Sequence, residues 1–153
     1  MISHLRICLA APSDVHAISA LSAVAIEHGL PQTWTPRRVL GSIRSQTTNV
    51  AAAQDRGRLA GFGIMDYHDE HAHLALFAVA EASRRQGIGS ALLAWLEKCA
   101  LTAGIVTVRA EVRVENDVAR AFYRARGYRE GKRLAGYYQG AVDALMLEKR
   151  VGV

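Results

Sequence analysis

The chain is poor in the residues that build disulfide frameworks and metal clusters: of 153 residues, only two are cysteine. Cys8 and Cys99 stand far apart with no C-x-x-C spacing, which argues against a zinc ribbon or a redox pair and leaves two thiols for the core. No repeat, low-complexity tract or linker divides the sequence, and its length fits one domain spanning 1–153. The longest apolar stretch, near Leu74–Ala80, is far too short to cross a bilayer. The opening MISHLRICLAAPSD lacks the basic start and long apolar run of a secretory signal. The expectation is a cytoplasmic protein with no membrane partner, a monomer or a homodimer.

Half the residues are apolar and 22% are charged, the composition of a globular protein. A net charge of +5 favours anionic partners. The arginines are scattered over Arg84–Arg85, Arg109–Arg113 and Arg120–Arg133, without a zinc-finger pattern, an RNP-like aromatic motif or a recognition helix. Nucleic acid is therefore not expected as the main partner. A phosphate-rich small molecule and a solvated surface account for the charge instead.

Periodicity lays out the elements. His4–Ala10 reads as a strand, and Ala11–Asp14 as a turn into a helix carrying Val15, Ile18, Leu21, Ser22 and Ala25, stopped by Gly29. Pro36 opens a second helix through Ser45. Two strands follow, Asn49–Gln54 and Arg58–Tyr67, and then a polar turn, His68–His71, into a strand at Ala72–Val79. From Gly87 the spacing becomes helical, with Ile88, Ala91, Leu92, Trp95, Leu96 and Cys99 on one stripe and a stop at Gly104. Ile105–Val114 alternates, with Val106, Val108, Ala110, Val112 and Val114 on one face. Glu115-Asn116-Asp117 caps a helix through Arg126, closed by Gly127. The tail Ala141–Arg150 is a last strand, with room for one more near Tyr128–Lys132. This is an α/β (α+β) pattern: a mixed sheet with helices against it.

Between the strand at Ala72–Val79 and the helix after it lies Arg84-Arg85-Gln86-Gly87-Ile88-Gly89-Ser90. A helix start leaves backbone N–H groups unpaired and carries partial positive charge, so it attracts phosphate. Glycine at 87 and 89 lets backbone approach phosphate oxygens without a Cβ in the way. A Walker loop would end in Gly-Lys-Ser/Thr, and a dinucleotide fold would carry G-x-G-x-x-G at its first strand; neither is present.

On these residues the chain resembles the GNAT superfamily of N-acetyltransferases. The signature R/Q-x-x-G-x-G/A is matched by Arg84, Gly87 and Gly89, and the second signature by Asn116-Asp117-Val118-Ala119-Arg120-Ala121-Phe122-Tyr123-Arg124-Ala125-Arg126-Gly127-Tyr128. Within that superfamily the second half is similar to the ribosomal-protein alanine acetyltransferases of the RimI type. The shared residues are Glu111-Val112-Arg113, Asn116, Tyr137-Tyr138 and Asp143-Ala144-Leu145-Met146, with Trp34-Thr35 beside that family's Trp-Ser. One departure is Ala80-Glu81-Ala82-Ser83, where the family carries a proline turn.

The resemblance implies a mostly antiparallel central sheet flanked by about four helices, and acetyl-CoA as co-substrate. It implies that backbone groups of Phe77, Ala78 and Val79 pair with the pantetheine arm, as a free strand edge can. The segment Arg84, Arg85, Gln86, Gly87, Ile88, Gly89 and Ser90 would hold the pyrophosphate. Asn116 would either hydrogen-bond the arm or simply cap its helix. Tyr123 is the candidate general acid, or a hydrogen-bond donor to the developing thiolate, and Glu111, flanked by Arg109 and Arg113, is the candidate base. Alternation places His73 on one strand face with Phe77 and Val79, which makes it a second base candidate. With His68 and His71 it forms no convincing metal set. Trp34, Tyr137 and Tyr138 are candidates to line the acceptor site. The acceptor implied is a primary amine, foremost a protein or peptide N-terminus. A polyamine or drug-like amine, or a CoA-binding sensor without catalysis, are the alternatives.

Overall fold

The computed structural model describes residues 4–152. Among them the chain forms β1 (Leu5–Leu9), α1 (Val15–Ala25), α2 (Pro36–Arg44), β2 (Thr48–Asp55), β3 (Arg58–Tyr67), β4 (Ala72–Val79), α3 (Ile88–Thr102), β5 (Thr107–Arg113), α4 (Asp117–Ala125), β6 (Arg129–Tyr138) and β7 (Val142–Arg150). The strands make one sheet in the order β1-β2-β3-β4-β5-β7-β6, antiparallel throughout except where β4 meets β5. The mixed sheet, its mostly antiparallel pairing and the four helices agree with the reading of the sequence.

Each face of the sheet is covered by a pair of helices, because the central strands β2, β3 and β4 carry buried apolar side chains on both sides. Ile18 of α1 and Val39 of α2 are fully buried against Val50, Ala52, Phe62, Ile64, Leu76 and Ala78. On the opposite face, Leu92, Leu93 and Leu96 of α3 and Tyr123 of α4 pack on Met65, Leu74, Val108, Ala110 and Val112. A Cβ at Gly63 would stand 2.5 Å from Leu96 Cδ1, so α3 rests on bare backbone there.

Two irregularities in β4 shape the site. Met65 faces Leu74 and Ile64 faces Leu76 across β3, so Ala75 is an extra residue, a bulge. Beyond it the side chains exchange faces: Leu74 lies with the α3 cluster and Leu76 with the α1–α2 cluster. The alternation that grouped His73 with Phe77 and Val79 is broken here, and His73 sits on the opposite face. The second irregularity is a splay. β4 pairs with β5 only over Ala72, His73 and Leu74. Phe77, Ala78 and Val79 pair with Gly63, Phe62 and Gly61 on the β3 side, and among the described residues their other edge has no strand partner.

Some boundaries moved for local reasons. α1 ends at Ala25 rather than near Gly29, because the amides of Ile26 and Glu27 both close on the Ser22 carbonyl. The strand placed near Tyr128–Lys132 runs on to Tyr138.

Candidate active site

The chain leaves β4 at Val79, makes one 3-10 turn at Glu81–Ser83, and enters α3 through two left-handed residues, Arg85 (φ 64°) and Gly87 (φ 82°). Gly87 is required by that φ, and a Cβ there would meet nothing within 4 Å, so the backbone faces open space. Gly89 is different. Its Cβ would lie 3.1 Å from the Phe122 ring and 3.5 Å from Val79 Cγ2, so close packing of α4 on α3 demands its small size. Arg84, Arg85 and Gln86 are exposed around this entry, and Arg84 Nε donates to the Val79 carbonyl at 3.2 Å. Ile88 is buried in the core, which leaves only its backbone for a ligand. The Ser90 hydroxyl is taken by Arg126 Nε at 2.6 Å. The free edge of Phe77–Val79 runs directly into this helix start. An extended, amide-bearing arm that ends in a diphosphate fits the two features together.

Tyr123 and Glu111 approach the splay from opposite faces. Tyr123, in α4, is 5% exposed on the α3 side, in edge contact with Phe122 and Tyr128 and tilted against Phe77. Burial, with the neighbouring Tyr138 and Glu111, pushes its phenol well above the ordinary value near 10, so it stays protonated. Glu111 alternates with the buried Ala110 and Val112 and so faces the α1–α2 side. Neither flanking arginine pairs with it: Arg109 Nε binds Glu148 at 2.8 Å, and Arg113 donates to the carbonyls of Ile26 and His28, both at 2.8 Å. Its partners are His73, with Nε2 at 2.6 Å from Oε1, and Tyr137, whose hydroxyl donates to the same oxygen at 2.7 Å. Asn116 caps α4, its Oδ1 accepting from the Ala119 amide at 3.0 Å.

On the face of the sheet that Glu111 occupies, two walls rise: the loop between α1 and α2, and the β6–β7 hairpin. Glu27, buried at 5% exposure, organises the first of these. Its carboxylate accepts from the Thr33 amide (2.6 Å), the Thr33 hydroxyl (2.9 Å), the Trp34 amide (3.2 Å) and the Ser22 hydroxyl (3.2 Å). Trp34 is thereby held at the N-terminus of α2 with Arg38 stacked 3.7 Å over its ring. In the hairpin, Gly136 (φ 62°) sits in a register shift of β6 and donates its amide to Asp143 at 2.8 Å. This irregularity brings Tyr137 over β5. Tyr138 packs edge-on against Tyr137, under the Arg113 guanidinium; burial and then Glu111 raise it to about 12. The two walls touch where Gln139 Nε2 donates to the Pro31 carbonyl at 2.8 Å.

Burial tends to raise the Glu27 carboxyl, but the hydrogen bonds from Thr33, Trp34 and Ser22 outweigh it and hold the group below its ordinary value of 4.5. A depressed carboxylate contributes stability that is present above its unfolded pKa and lost as pH falls through the folded one. The stability difference between Glu27→Gln and the parent is therefore expected to shrink as pH falls below the ordinary 4.5. Glu27→Ala orphans four shielded donors and should cost about 2–4 kcal/mol, read as a lower thermal midpoint at neutral pH.

Sequence reasoning brought together the helix start, Tyr123, Glu111 and the two tyrosines. It missed Glu27, Gln139 and the partnership of His73 with Glu111. Gln139 carried no signal. A glycine between apolar and aromatic residues at 136 was the available hint of the β6 irregularity.

Comparison with known proteins is consistent with this architecture. The family model described as "Acetyltransferase (GNAT) family" matches residues 19–128. An uncharacterized N-acetyltransferase of Methanocaldococcus jannaschii is 39% identical over 140 residues, 90% of this chain and 86% of the relative. The ribosomal protein bS18-alanine N-acetyltransferase of Salmonella typhimurium is 32% identical over 123 residues, 78% and 81% of the two chains. The crystal structure of the ribosomal-protein-S18-alanine N-acetyltransferase from Escherichia coli superposes with a TM-score of 0.83 at 26% identity, covering 97% and 95%.

Proposed function

Since the chain belongs to the GNAT acetyltransferase family, and is an N-acetyltransferase with acetyl-CoA as co-substrate, we propose that its acceptor is the α-amine at the N-terminus of a protein or peptide. The supporting observation is the contact between Gln139 and Pro31 that bridges the two walls of the acceptor groove. An internal lysine must bring chain running away in both directions and needs a groove open along its length. A chain end needs one opening. The ribosomal-protein relative, named for its action on an alanine, supports the same reading.

In this reading Phe77, Ala78 and Val79 pair with the pantetheine arm and the amides around Gly87 grip the diphosphate, with Arg84 and Arg85 adding charge. The acetyl thioester is thereby aimed into the splay, between Glu111 on one face and Tyr123 on the other. Glu111 Oε2, not engaged by His73 or Tyr137, takes a proton from the ammonium form of the acceptor. The free amine attacks the thioester carbonyl. Tyr123, kept protonated by burial, donates a hydrogen bond to the sulfur as the C–S bond breaks. Trp34 and Tyr138 line the acceptor's path. Acetyl-CoA consumption measured over three acceptors tests the reading: a peptide with a free N-terminus, the same peptide blocked at its N-terminus but carrying a lysine, and a polyamine. Preferential turnover of the first is expected, and equal turnover of the polyamine would overturn it.

A further inference from the structure

Glu111 Oε1 receives two donors from different strands, His73 Nε2 from β4 at 2.6 Å and the Tyr137 hydroxyl from β6 at 2.7 Å. The Ala75 bulge makes this possible by turning His73 away from the face that Phe77 occupies. The Glu111 side chain is only 11% exposed and that of His73 23%, so the pair is substantially shielded from water. Taking Glu111 as the proton acceptor proposed above, we propose that His73 is a positioning residue governing that role. With Tyr137 it occupies Oε1, leaves Oε2 to the acceptor, and permits Glu111 to take a proton only while the imidazole is neutral.

An imidazolium 2.6 Å from a carboxylate stabilises the ionised form, and a carboxylate so stabilised holds a substrate proton poorly. A neutral imidazole still donates from Nε2 and keeps the geometry without the charge. The groups around His73 favour its charged form: the hydrogen bond to Glu111 raises it most, burial opposes, and the charges of Glu111 and of Asp66 on β3 add. His68 and His71 lie in the adjoining turn, with His68 at 6.5 Å between ring centroids, and Arg109 on β5 is paired with Glu148. His73 is therefore pushed above its ordinary 6.5, chiefly by its hydrogen bond to Glu111. Protons balance without passing through the imidazole. The ammonium's first proton goes to Oε2 and then to water. The nitrogen's second proton is lost as C–N forms and C–S breaks, and it ends on the thiolate sulfur.

The test is the pH dependence of kcat/KM for a peptide acceptor. Below about pH 6.5 both the amine and His73 must lose a proton, so log kcat/KM should rise with a slope near 2 in the parent enzyme. His73→Gln retains an amide donor but cannot titrate, and its slope should fall to about 1. In NMR, the His73 imidazole of the parent should titrate above that of Glu111→Gln. A slope that stays at 2 in His73→Gln, or a His73 titration unmoved by Glu111→Gln, overturns the proposal. Full activity in Glu111→Gln would instead remove Glu111 as the proton acceptor. Loss of activity in Glu111→Gln beside an unchanged slope in His73→Gln would leave that assignment standing and remove only the role of His73.

Discussion

Tyr123→Phe is expected to lower kcat by about 10²–10³ while leaving the dissociation constant for acetyl-CoA unchanged. The ring is 5% exposed and sits in a cage of Phe77, Phe122 and Tyr128, all contacts that phenylalanine retains. The substitution therefore removes one hydroxyl and little else, and its thermal midpoint should stay close to that of the parent. The cost falls on the step in which sulfur gains charge. A leaving thiol titrates near ~8.5 and tyrosine ordinarily near ~10, so full proton transfer from the phenol is uphill. Burial makes it more so. The hydroxyl must act as a hydrogen-bond donor in a site that is largely closed to water, where such a donor is worth about 3–4 kcal/mol. Because that interaction exists only as the bond breaks, kcat and kcat/KM should fall together. The same burial predicts no alkaline loss of activity from this group up to about pH 10. A Tyr123→Phe enzyme with parental kcat would remove the residue from the chemistry.

The second large effect is discrimination between amines. At pH 7 an α-amine near pKa ~8 is about a tenth neutral, whereas lysine near ~10.4 is neutral in well under a thousandth of molecules, a ratio of roughly 200. Glu111, held on Oε1 by two donors, meets both amines alike and does little to close that gap. Peptide N-termini should therefore exceed blocked, lysine-bearing peptides by at least about 200-fold in kcat/KM at pH 7. Raising the pH toward 10 neutralises the lysine and should erode the ratio. A gap of about three- to fourfold from basicity remains at pH 10, and what survives beyond it measures the walls, the part contributed by Gln139 on Pro31 and by Trp34 fixed through Glu27. A residual preference of about tenfold or more is expected from a groove bridged at one end. A ratio of only about three to four at pH 10 would assign the whole preference to amine basicity.

The sequence displayed its fold well where one physical rule acted alone. The helical period of α3, the alternation of β5 and the glycine closing α4 each follow from a single period or a single φ; the α3 stripe is only rotated slightly, burying Leu93 and Ala100 more deeply than Ala91 and Cys99, and β5 is trimmed to Thr107–Arg113. Misreadings came where two rules competed. Alternation through β4 assigned His73 to the face of Phe77, but Ala75 is small enough to form a bulge without leaving any apolar signature of it. β6 is exposed along most of its length, so hydrophobic patterning showed only its beginning, and its register is set by Gly136 and Asp143 rather than by burial. Gly89 was read as making room for phosphate, yet it makes room for Phe122, a neighbour that local sequence does not announce. The charged groups follow the same logic. Arg109 and Arg113 flank Glu111 in sequence, but each finds a better partner from a distant element. Buried polar networks such as that of Glu27 depend on contacts across several residues of loop, for which no period exists.

The central claim is that acetyl-CoA lies along the free edge of β4 with its diphosphate on the first turn of α3. Amide hydrogen exchange with and without coenzyme A tests it most directly, since both segments expose backbone that a ligand must cover. Added coenzyme should slow exchange in the segments Phe77–Val79 and Gly87–Ser90 by about tenfold or more, with little change in β1 or β6. Coenzyme that binds by calorimetry yet leaves those two segments exchanging at their free rates would contradict the account.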